Sequence, residues 1–168
     1  MKYYIVEDSS FILAVLDSND AFHKDALYVF SKIQESKEMI NIVIPPLVMY
    51  EVIVVLRRKG VTSSKIEDTF MKLVNISNVS VIALSEMSAF KHAKHALNSS
   101  DPDKALRTND FLIFSVANEL QASILTFDKK LRDRCRELYS DIYYCSSLGG
   151  MTDETNDFLN KISDSCKK

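Results

Sequence analysis

Apolar positions along the 168-residue chain follow two alternating patterns, short β-rich runs and longer stretches with helical spacing. The short runs predict strands over residues 3–6, 40–44, 79–84, 123–126 and 142–145. The longer stretches predict helices over residues 11–16, 21–37, 47–59, 62–76, 86–97, 111–120 and 129–138. Because strands alternate with helices, we expect an α/β fold in which helix layers enclose a central, mainly parallel sheet.

Helix-capping and helix-ending residues support several of these boundaries. Asp8, Ser9 and Ser10 precede the first helical stretch, where capping side chains are preferred. Pro46 suits the first turn of the third helix, and Gly60 suits its end. Beyond residue 148 the chain is polar and only weakly helical in pattern. We therefore expect one domain over residues 1–148 and a C-terminal appendage over residues 149–168.

Composition narrows the class of protein. Hydrophobic residues make up 46% and charged residues 26%, which are ordinary values for a globular domain. No apolar run reaches the roughly 18 residues of a membrane span, and a secretory signal is not recognisable, so we expect a cytoplasmic protein without membrane contact. The formal charge of −2 does not indicate nucleic-acid binding, although local patches decide that property. Cys135, Cys145 and Cys166 form no CxxC pair, which argues against a disulfide framework or a cysteine zinc site.

Four acidic residues stand where this fold is expected to bind ligands. Asp8 and Asp128 follow predicted strands, Asp110 opens a helix, and Glu51 lies about one turn inside the helix after the second strand. Ligands of open α/β sheets bind beyond the carboxyl ends of the strands, so the four acids could converge there. Glu51 interrupts an otherwise apolar helix, where an ionised carboxylate is costly unless it is paired, hydrogen-bonded or bound to a metal.

Each acid also has a plain structural interpretation. Glu51 could mark a narrow solvent-facing stripe or pair with a basic residue, and aspartate is a common helix N-cap. Capping does not require all three aspartates, however, because each has neighbours that could cap instead, namely Ser9 or Ser10, Thr108 or Asn109, and Thr126. Taken together, the acids suit Mg²⁺ or Mn²⁺, hard ions that prefer oxygen ligands and can activate water at a phosphodiester.

The segments around these acids resemble the PIN-domain family, and specifically its VapC-type toxins. Residues 5–17, IVEDSSFILAVLD, are similar to the family's opening strand, acid and helix, and residues 46–52, PLVMYEV, to the helix that carries its glutamate. Residues 106–113, LRTNDFLI, and 123–128, SILTFD, resemble the segments of its third and fourth acids. The resemblance implies a PIN-like three-layer α/β/α fold. It also implies a Mg²⁺- or Mn²⁺-dependent endoribonuclease that cleaves single-stranded or structured RNA with water as the nucleophile.

The same resemblance assigns roles to individual residues and implies partners. Asp8, Glu51, Asp110 and Asp128 would be the catalytic metal ligands, and Ser10 and Thr126 would orient them through hydrogen bonds. A homodimer is implied. The protein would be either the toxin of a VapBC-type pair, held by a small antitoxin protein, or an RNA-processing enzyme. One departure is that residues 119–122, ELQA, lack the glycine of many relatives, which predicts a longer or differently shaped turn.

Basic and aromatic residues near the acids allow two interpretations. Candidate RNA contacts are Arg57, Arg58, Lys129, Lys130 and Arg132. Alternatively, such residues late in a helix complement its dipole and face solvent. Tyr50 and Phe127 flank acids and could stack on bases, but core packing is the favoured interpretation. His23, His92 and His95 lack metal-site spacing and receive no catalytic role.

Two other functions fit parts of the pattern. A PIN-like scaffold could bind RNA or protein without cutting, but it would not need all four acids. A phosphatase or receiver-like domain could use Asp8 as a nucleophile. The DxD spacing of one such phosphatase group is absent, however, because Ser9 and Ser10 follow Asp8.

Overall fold

A computed structural model of the protein describes residues 2–83, 108–136, 138–145 and 152–165. The five described strands form one sheet in the order β3-β2-β1-β4-β5. They are β1 (Tyr3–Glu7), β2 (Ile40–Ile44), β3 (Val79–Val81), β4 (Ser123–Thr126) and β5 (Ile142–Tyr144). All four neighbouring pairs are parallel, which confirms the expected sheet.

Seven described helices flank this sheet in a three-layer α/β/α arrangement. They are α1 (Ser9–Leu16), α2 (His23–Glu35), α3 (Pro46–Arg58), α4 (Ser63–Val74), α5 (Thr108–Leu120), α6 (Lys129–Arg136) and α7 (Asp153–Ser165). The helix predicted over residues 86–97 and the loop after it lie outside the described residues. Among the described helices, none has the length and apolar character that crossing a bilayer requires.

The central strands are apolar on both faces because helices cover both faces. Ile5 and Val6 of β1 point to opposite faces of the sheet, yet both are fully buried. The same holds for Ile124 and Leu125 of β4. The helices bury one face each, as α2 does with Val29 and the other apolar residues at helical spacing.

The order of the strands creates a crevice between β1 and β4. From β1 the chain continues to β2 on one side of the sheet, whereas β4 and β5 lie on the other side. Such a reversal opens a ligand-binding crevice at the carboxyl ends of the two strands. Asp8 lies at the end of β1, where its N–H donates to Leu125 O at 3.3 Å, and Asp128 lies just beyond β4. The fold therefore places two predicted site residues at this crevice.

Helix α3 ends in a Schellman motif at Gly60, as the sequence predicted. Gly60 has a φ of +81°, a left-handed conformation that glycine adopts without steric cost. Its N–H donates to Arg57 O at 3.0 Å, and the N–H of Val61 donates to Leu56 O at 3.1 Å. These two bonds satisfy carbonyl groups that the end of the helix would leave unpaired.

Helix α5 ends in the same motif, but with glutamine at the glycine position. Gln121 has a φ of +52°, the N–H of Ala122 donates to Ala117 O at 2.9 Å, and the N–H of Gln121 donates to Asn118 O at 3.4 Å. The side-chain Nε2 of Gln121 also donates to Asn118 O, at 2.8 Å. The expectation of a longer or differently shaped turn is therefore wrong. The turn is tight, and a non-glycine residue adopts the left-handed conformation.

Helix α7 packs its apolar face on the rest of the molecule. Phe158 is fully buried and Ile162 nearly so, and both belong to the main hydrophobic core. The ring of Phe158 lies 5.3 Å from that of Tyr143 on β5. The weak helical pattern in the sequence therefore corresponds to a helix whose few apolar residues are well covered.

The described cysteines are core residues. Cys135 and Cys145 are free and buried, and burial raises the pKa of both thiols. A buried thiol with a raised pKa is a poor nucleophile, so neither residue is a candidate for thiol chemistry. Cys166 lies outside the described residues.

Candidate metal centre

One pocket at the carboxyl ends of β1 and β4 brings the four predicted acids together. Its volume is about 350 Å³, and its lining residues are Asp8, Ser9, Glu51, Asn109, Asp110, Ile113, Asp128, Leu131 and Arg134. The acids come from four separate segments, the start of α1, the middle of α3, the first turn of α5 and the residue before α6. The pocket is acidic because these four segments meet at the same edge of the sheet.

Asp8 is buried and held by four hydrogen-bond contacts. The N–H of Phe11 donates to its Oδ1 at 3.0 Å, so Asp8 is the N-cap of α1. The hydroxyl of Ser10 lies 2.8 Å from Oδ1 and 2.9 Å from Oδ2, and the hydroxyl of Thr126 donates to Oδ2 at 2.9 Å. The alternative that Ser9 or Ser10 caps the helix is wrong, since Asp8 caps α1 and also lines the pocket.

Two neighbouring carboxyl groups at the end of β1 hold protons more tightly than usual. Burial raises the pKa of Asp8 to about 6, its hydrogen bonds oppose the rise, and the charge of Asp128 adds to it. Burial also raises the pKa of Glu7 to about 8, with a further contribution from the charge of Asp8. Among the described residues, Oε1 of Glu7 is buried without a hydrogen-bond partner. Glu7 is the last residue of β1, and the sequence analysis gave it no role.

Asp128 caps helix α6 at the rim of the pocket. Its Oδ1 accepts the N–H of Lys130 at 2.7 Å and that of Leu131 at 3.1 Å. Thr126 is not the cap, because its hydroxyl accepts the N–H of Asp128 at 2.8 Å. Asp128 is therefore both the N-cap of α6 and a lining residue of the pocket.

Asp110 forms an ion pair inside the pocket with Arg134, a pairing that the sequence analysis did not predict. Nη2 of Arg134 lies 2.5 Å from Oδ2 of Asp110, and the carboxylate side chain is 12% exposed. A signal was available, since Leu131 and Arg134 follow Asp128 at intervals of three residues and fall on one side of α6. The pocket therefore contains a cation from its own chain.

Glu51 faces the pocket from α3 and is half-buried. Within the described part of the chain, no basic residue forms an ion pair with its carboxylate. The preceding residue, Tyr50, is 64% exposed, so the expectation that it packs in the core is wrong. The same expectation is confirmed for Phe127, whose ring stacks on Phe22 at 4.8 Å and on Phe11 at 5.5 Å.

None of the basic residues proposed as RNA contacts lines the pocket. Exposed members of this group are Arg57, Arg58, Lys129 and Lys130. Arg132 is different, because it pairs with Glu154 of α7 at 2.6 Å and with Asp133 at 2.8 Å. Arg136 also pairs with Glu154, at 2.9 Å. The basic face of α6 is thus partly neutralised by α7.

The pocket fits a hard divalent ion by the chemistry of its donors. The four acids offer carboxylate oxygens, which Mg²⁺ and Mn²⁺ prefer, and the charge of Asp128 already raises the pKa of Asp8, after burial as the larger cause. The side chains are not arranged around an ion, since no group of three or more His, Cys, Asp or Glu side chains among the described residues is close enough to hold one. Binding would therefore require the acids to draw together.

The described strands form an all-parallel α/β fold, and its acidic pocket lies between β1 and β4, where the strand order reverses. These features define a class of α/β proteins in which carboxylates from several segments meet at one edge of the sheet. The chain belongs to the PIN domain family, which its sequence matches over residues 5–137. The resemblance noted in the sequence is thereby confirmed.

Solved structures share this fold. VapC20 of Mycobacterium tuberculosis, described as a sarcin-ricin loop cleaving toxin, superposes with a TM-score of 0.61 at 16% identity, covering 77% of this chain and 93% of that one. PAE2754 of Pyrobaculum aerophilum superposes with a TM-score of 0.54 at 17% identity, covering 98% of this chain and 99% of that one. A comparison with curated proteins found no match. At these identities the likeness establishes the fold alone.

Proposed function

We propose that the protein is a Mg²⁺- or Mn²⁺-dependent endoribonuclease that cleaves single-stranded or structured RNA. The observation that carries the proposal is the meeting of Asp8, Glu51, Asp110 and Asp128 around one pocket of a PIN domain. A bound divalent ion supplies an activated water and stabilises the developing charge at the phosphodiester. The four acids serve as its ligands, directly or through water.

The hydrogen bonds within the site support this assignment. Asp8 is oriented through both oxygens by Ser10 and Thr126, so its carboxylate is held before an ion arrives. Asp128 uses Oδ1 for its helix cap, which leaves Oδ2 to serve as a ligand. Because the raised pKa of Asp8 reflects burial and a nearby negative charge, binding of a dication would favour loss of its proton.

We assign RNA contacts to exposed residues outside the pocket lining. Arg57, Arg58, Lys129 and Lys130 would hold phosphates, a contact that weakens as salt rises. Exposed Tyr50 lies next to Glu51 in α3 and would stack on a base, an interaction worth roughly 1–3 kcal/mol. We expect Tyr50→Ala to raise KM for RNA several-fold with little change in kcat. Arg132 is given no RNA contact in this proposal, because Glu154 and Asp133 already bind it.

The biological role has two candidates that experiment separates. A toxin would arrest growth when it is expressed alone in the cytoplasm, and it would co-purify with a small antitoxin protein. An RNA-processing enzyme would do neither. The description of VapC20 as a toxin that cleaves the sarcin-ricin loop favours the toxin and a structured RNA target. A homodimer remains part of the proposal and is measured by the mass of the particle in solution.

RNA cleavage by the purified protein tests the function. We expect cutting of single-stranded RNA in Mn²⁺ or Mg²⁺ that EDTA stops and that Asp110→Asn lowers by two or more orders of magnitude. Asp68→Asn makes the same change on the exposed face of α4 and should retain full activity. RNA binding without metal-dependent cleavage by the wild type would favour the alternative, a non-catalytic PIN-like scaffold.

A further inference from the structure

Arg134 contributes a guanidinium to the lining of the acidic pocket. Its Nη2 donates to Oδ2 of Asp110 at 2.5 Å, and the two side chains are 23% and 12% exposed. Hydrogen bonds between charged groups are roughly twice as strong as neutral ones, and partial burial shields this pair from salt. Arg134 therefore neutralises one of the four carboxylates from within the chain.

The position of Arg134 distinguishes it from the other arginines of α6. Arg132 and Arg136 both bind Glu154 of the C-terminal helix, whereas Arg134 binds Asp110. Helical geometry accounts for the division, since Arg134 lies one turn beyond Leu131, another lining residue of the pocket. The helix thus directs one guanidinium to the acids and two to α7.

We propose that Arg134 competes with the divalent ion for Asp110 and thereby sets the metal affinity of the pocket. The inference rests on the proposed function, because it requires the pocket to bind metal. A positive charge 2.5 Å from Oδ2 occupies one approach to that oxygen and repels a dication. The contact leaves Oδ1 of Asp110 free of Arg134, so competition concerns Oδ2 and the positive charge beside it.

The contact is of a kind that an ion can displace. The hydrogen bond to Asp110 uses Nη2 of the guanidinium, whereas the strongest arginine–carboxylate pairs use two parallel bonds. Nε of Arg134 is buried without a hydrogen-bond partner among the described residues. A pair joined by one hydrogen bond is weaker than a bidentate pair, which is the property that lets an ion displace it.

Calorimetric titration of the metal-free protein with Mn²⁺, without RNA, tests the competition. We expect Arg134→Gln to bind Mn²⁺ about tenfold more tightly than the wild type, since it removes a charged hydrogen bond that competes with the ion for Asp110. Arg136→Gln is the matched control, because it removes the same charge from an exposed position of the same helix and should bind within about twofold of the wild type. Arg134→Lys, which keeps the charge, should fall between, and it replaces the glutamine variant if that variant does not fold.

The outcomes separate the inference from the function beneath it. If the wild type binds Mn²⁺ and Arg134→Gln binds it equally well or more weakly, the proposed competition is wrong. The proposed metal centre is not affected by that result. A gain of equal size in Arg136→Gln also overturns the competition, because general charge would then explain the effect. If neither the wild type nor the variants bind Mn²⁺, the proposed metal centre fails, and the competition fails with it.

Discussion

The hydroxyl of Thr126 donates to Oδ2 of Asp8 at 2.9 Å across the boundary between β4 and β1. The same hydroxyl oxygen accepts the N–H of Asp128 at 2.8 Å. One small side chain therefore fixes the positions of two acids that lie 120 residues apart in the sequence. The relationship depends on the parallel pairing of the two strands, which aligns their carboxyl ends.

Replacing Thr126 with valine tests how much this contact contributes. Valine keeps the shape but removes both hydrogen bonds, so we expect RNA cleavage or Mn²⁺ affinity to fall about 10–100-fold, as is typical for groups that orient metal ligands. Thr69→Val is the matched control, since the Thr69 hydroxyl donates to Lys65 O on α4. Unchanged activity and metal affinity in Thr126→Val would remove the residue from the site.

Glu7 should make the metal-free protein less stable as pH rises. Burial raises the pKa of Glu7 from 4.5, the value of an unperturbed glutamate, to about 8 in the folded state. Between these values unfolding releases a proton, so the free energy of unfolding falls as pH rises, by a few kcal/mol at most for this group. Glu7→Gln cannot ionise. Its urea-unfolding free energy in EDTA should therefore change less between pH 5 and pH 8 than that of the wild type, and parallel profiles would contradict the prediction.

Gln121 should be a site where glycine stabilises the protein. The residue has a φ of +52° at the end of α5, where a side chain is disfavoured and glycine is not. We expect Gln121→Gly to raise the free energy of unfolding by about 0.5–1 kcal/mol. Loss of the hydrogen bond from the Gln121 side chain to Asn118 O reduces this gain. Gly60→Gln makes the reverse change at the equivalent position of α3 and should destabilise by a similar amount. A decrease in stability for Gln121→Gly would show that the side-chain bond dominates.

Helix α7 should contribute to the stability of the whole domain. Phe158 is fully buried against the sheet, and removing a buried phenylalanine side chain costs about 3–5 kcal/mol. Phe158→Ala should therefore shift urea unfolding strongly, whereas Asn160→Ala, on the exposed face of the same helix, should not. A negligible effect of Phe158→Ala would mean that residues 149–168 are an appendage that the PIN domain does not need.

The sequence predicted most of the fold because the deciding signals were local. The apolar runs 40–44 and 123–126 coincide with β2 and β4, and the helix before Gly60 ends within one residue of its predicted end. The placement of Asp8 and Asp128 beside each other followed from the rule that parallel strands share their carboxyl ends. Their meeting with Glu51 in one pocket was expected on the same basis.

What the sequence did not reveal depends on contacts between distant segments. The spacing along α6 indicates which side of the helix Arg134 occupies, but its pairing with Asp110 depends on how α5 and α6 pack. The pairing of Arg132 with Glu154 likewise depends on how α6 and α7 pack. Tyr50 was expected in the core because its neighbours in α3 are apolar, but the helix leaves that face open. Gln121 adopts a conformation typical of glycine because the surrounding turn imposes it.

We propose that acids from four segments share one divalent ion, and comparing Mn²⁺ binding by the wild-type protein and by Glu51→Gln tests this sharing. Glu51 is the informative position because it is half-buried, caps no helix and has no described ion-pair partner. We expect the wild type to bind Mn²⁺ in calorimetry, Glu51→Gln to bind at least tenfold more weakly, and Glu67→Gln on exposed α4 to match the wild type. Absence of Mn²⁺ binding by the wild type, or equal binding by Glu51→Gln, would contradict the account.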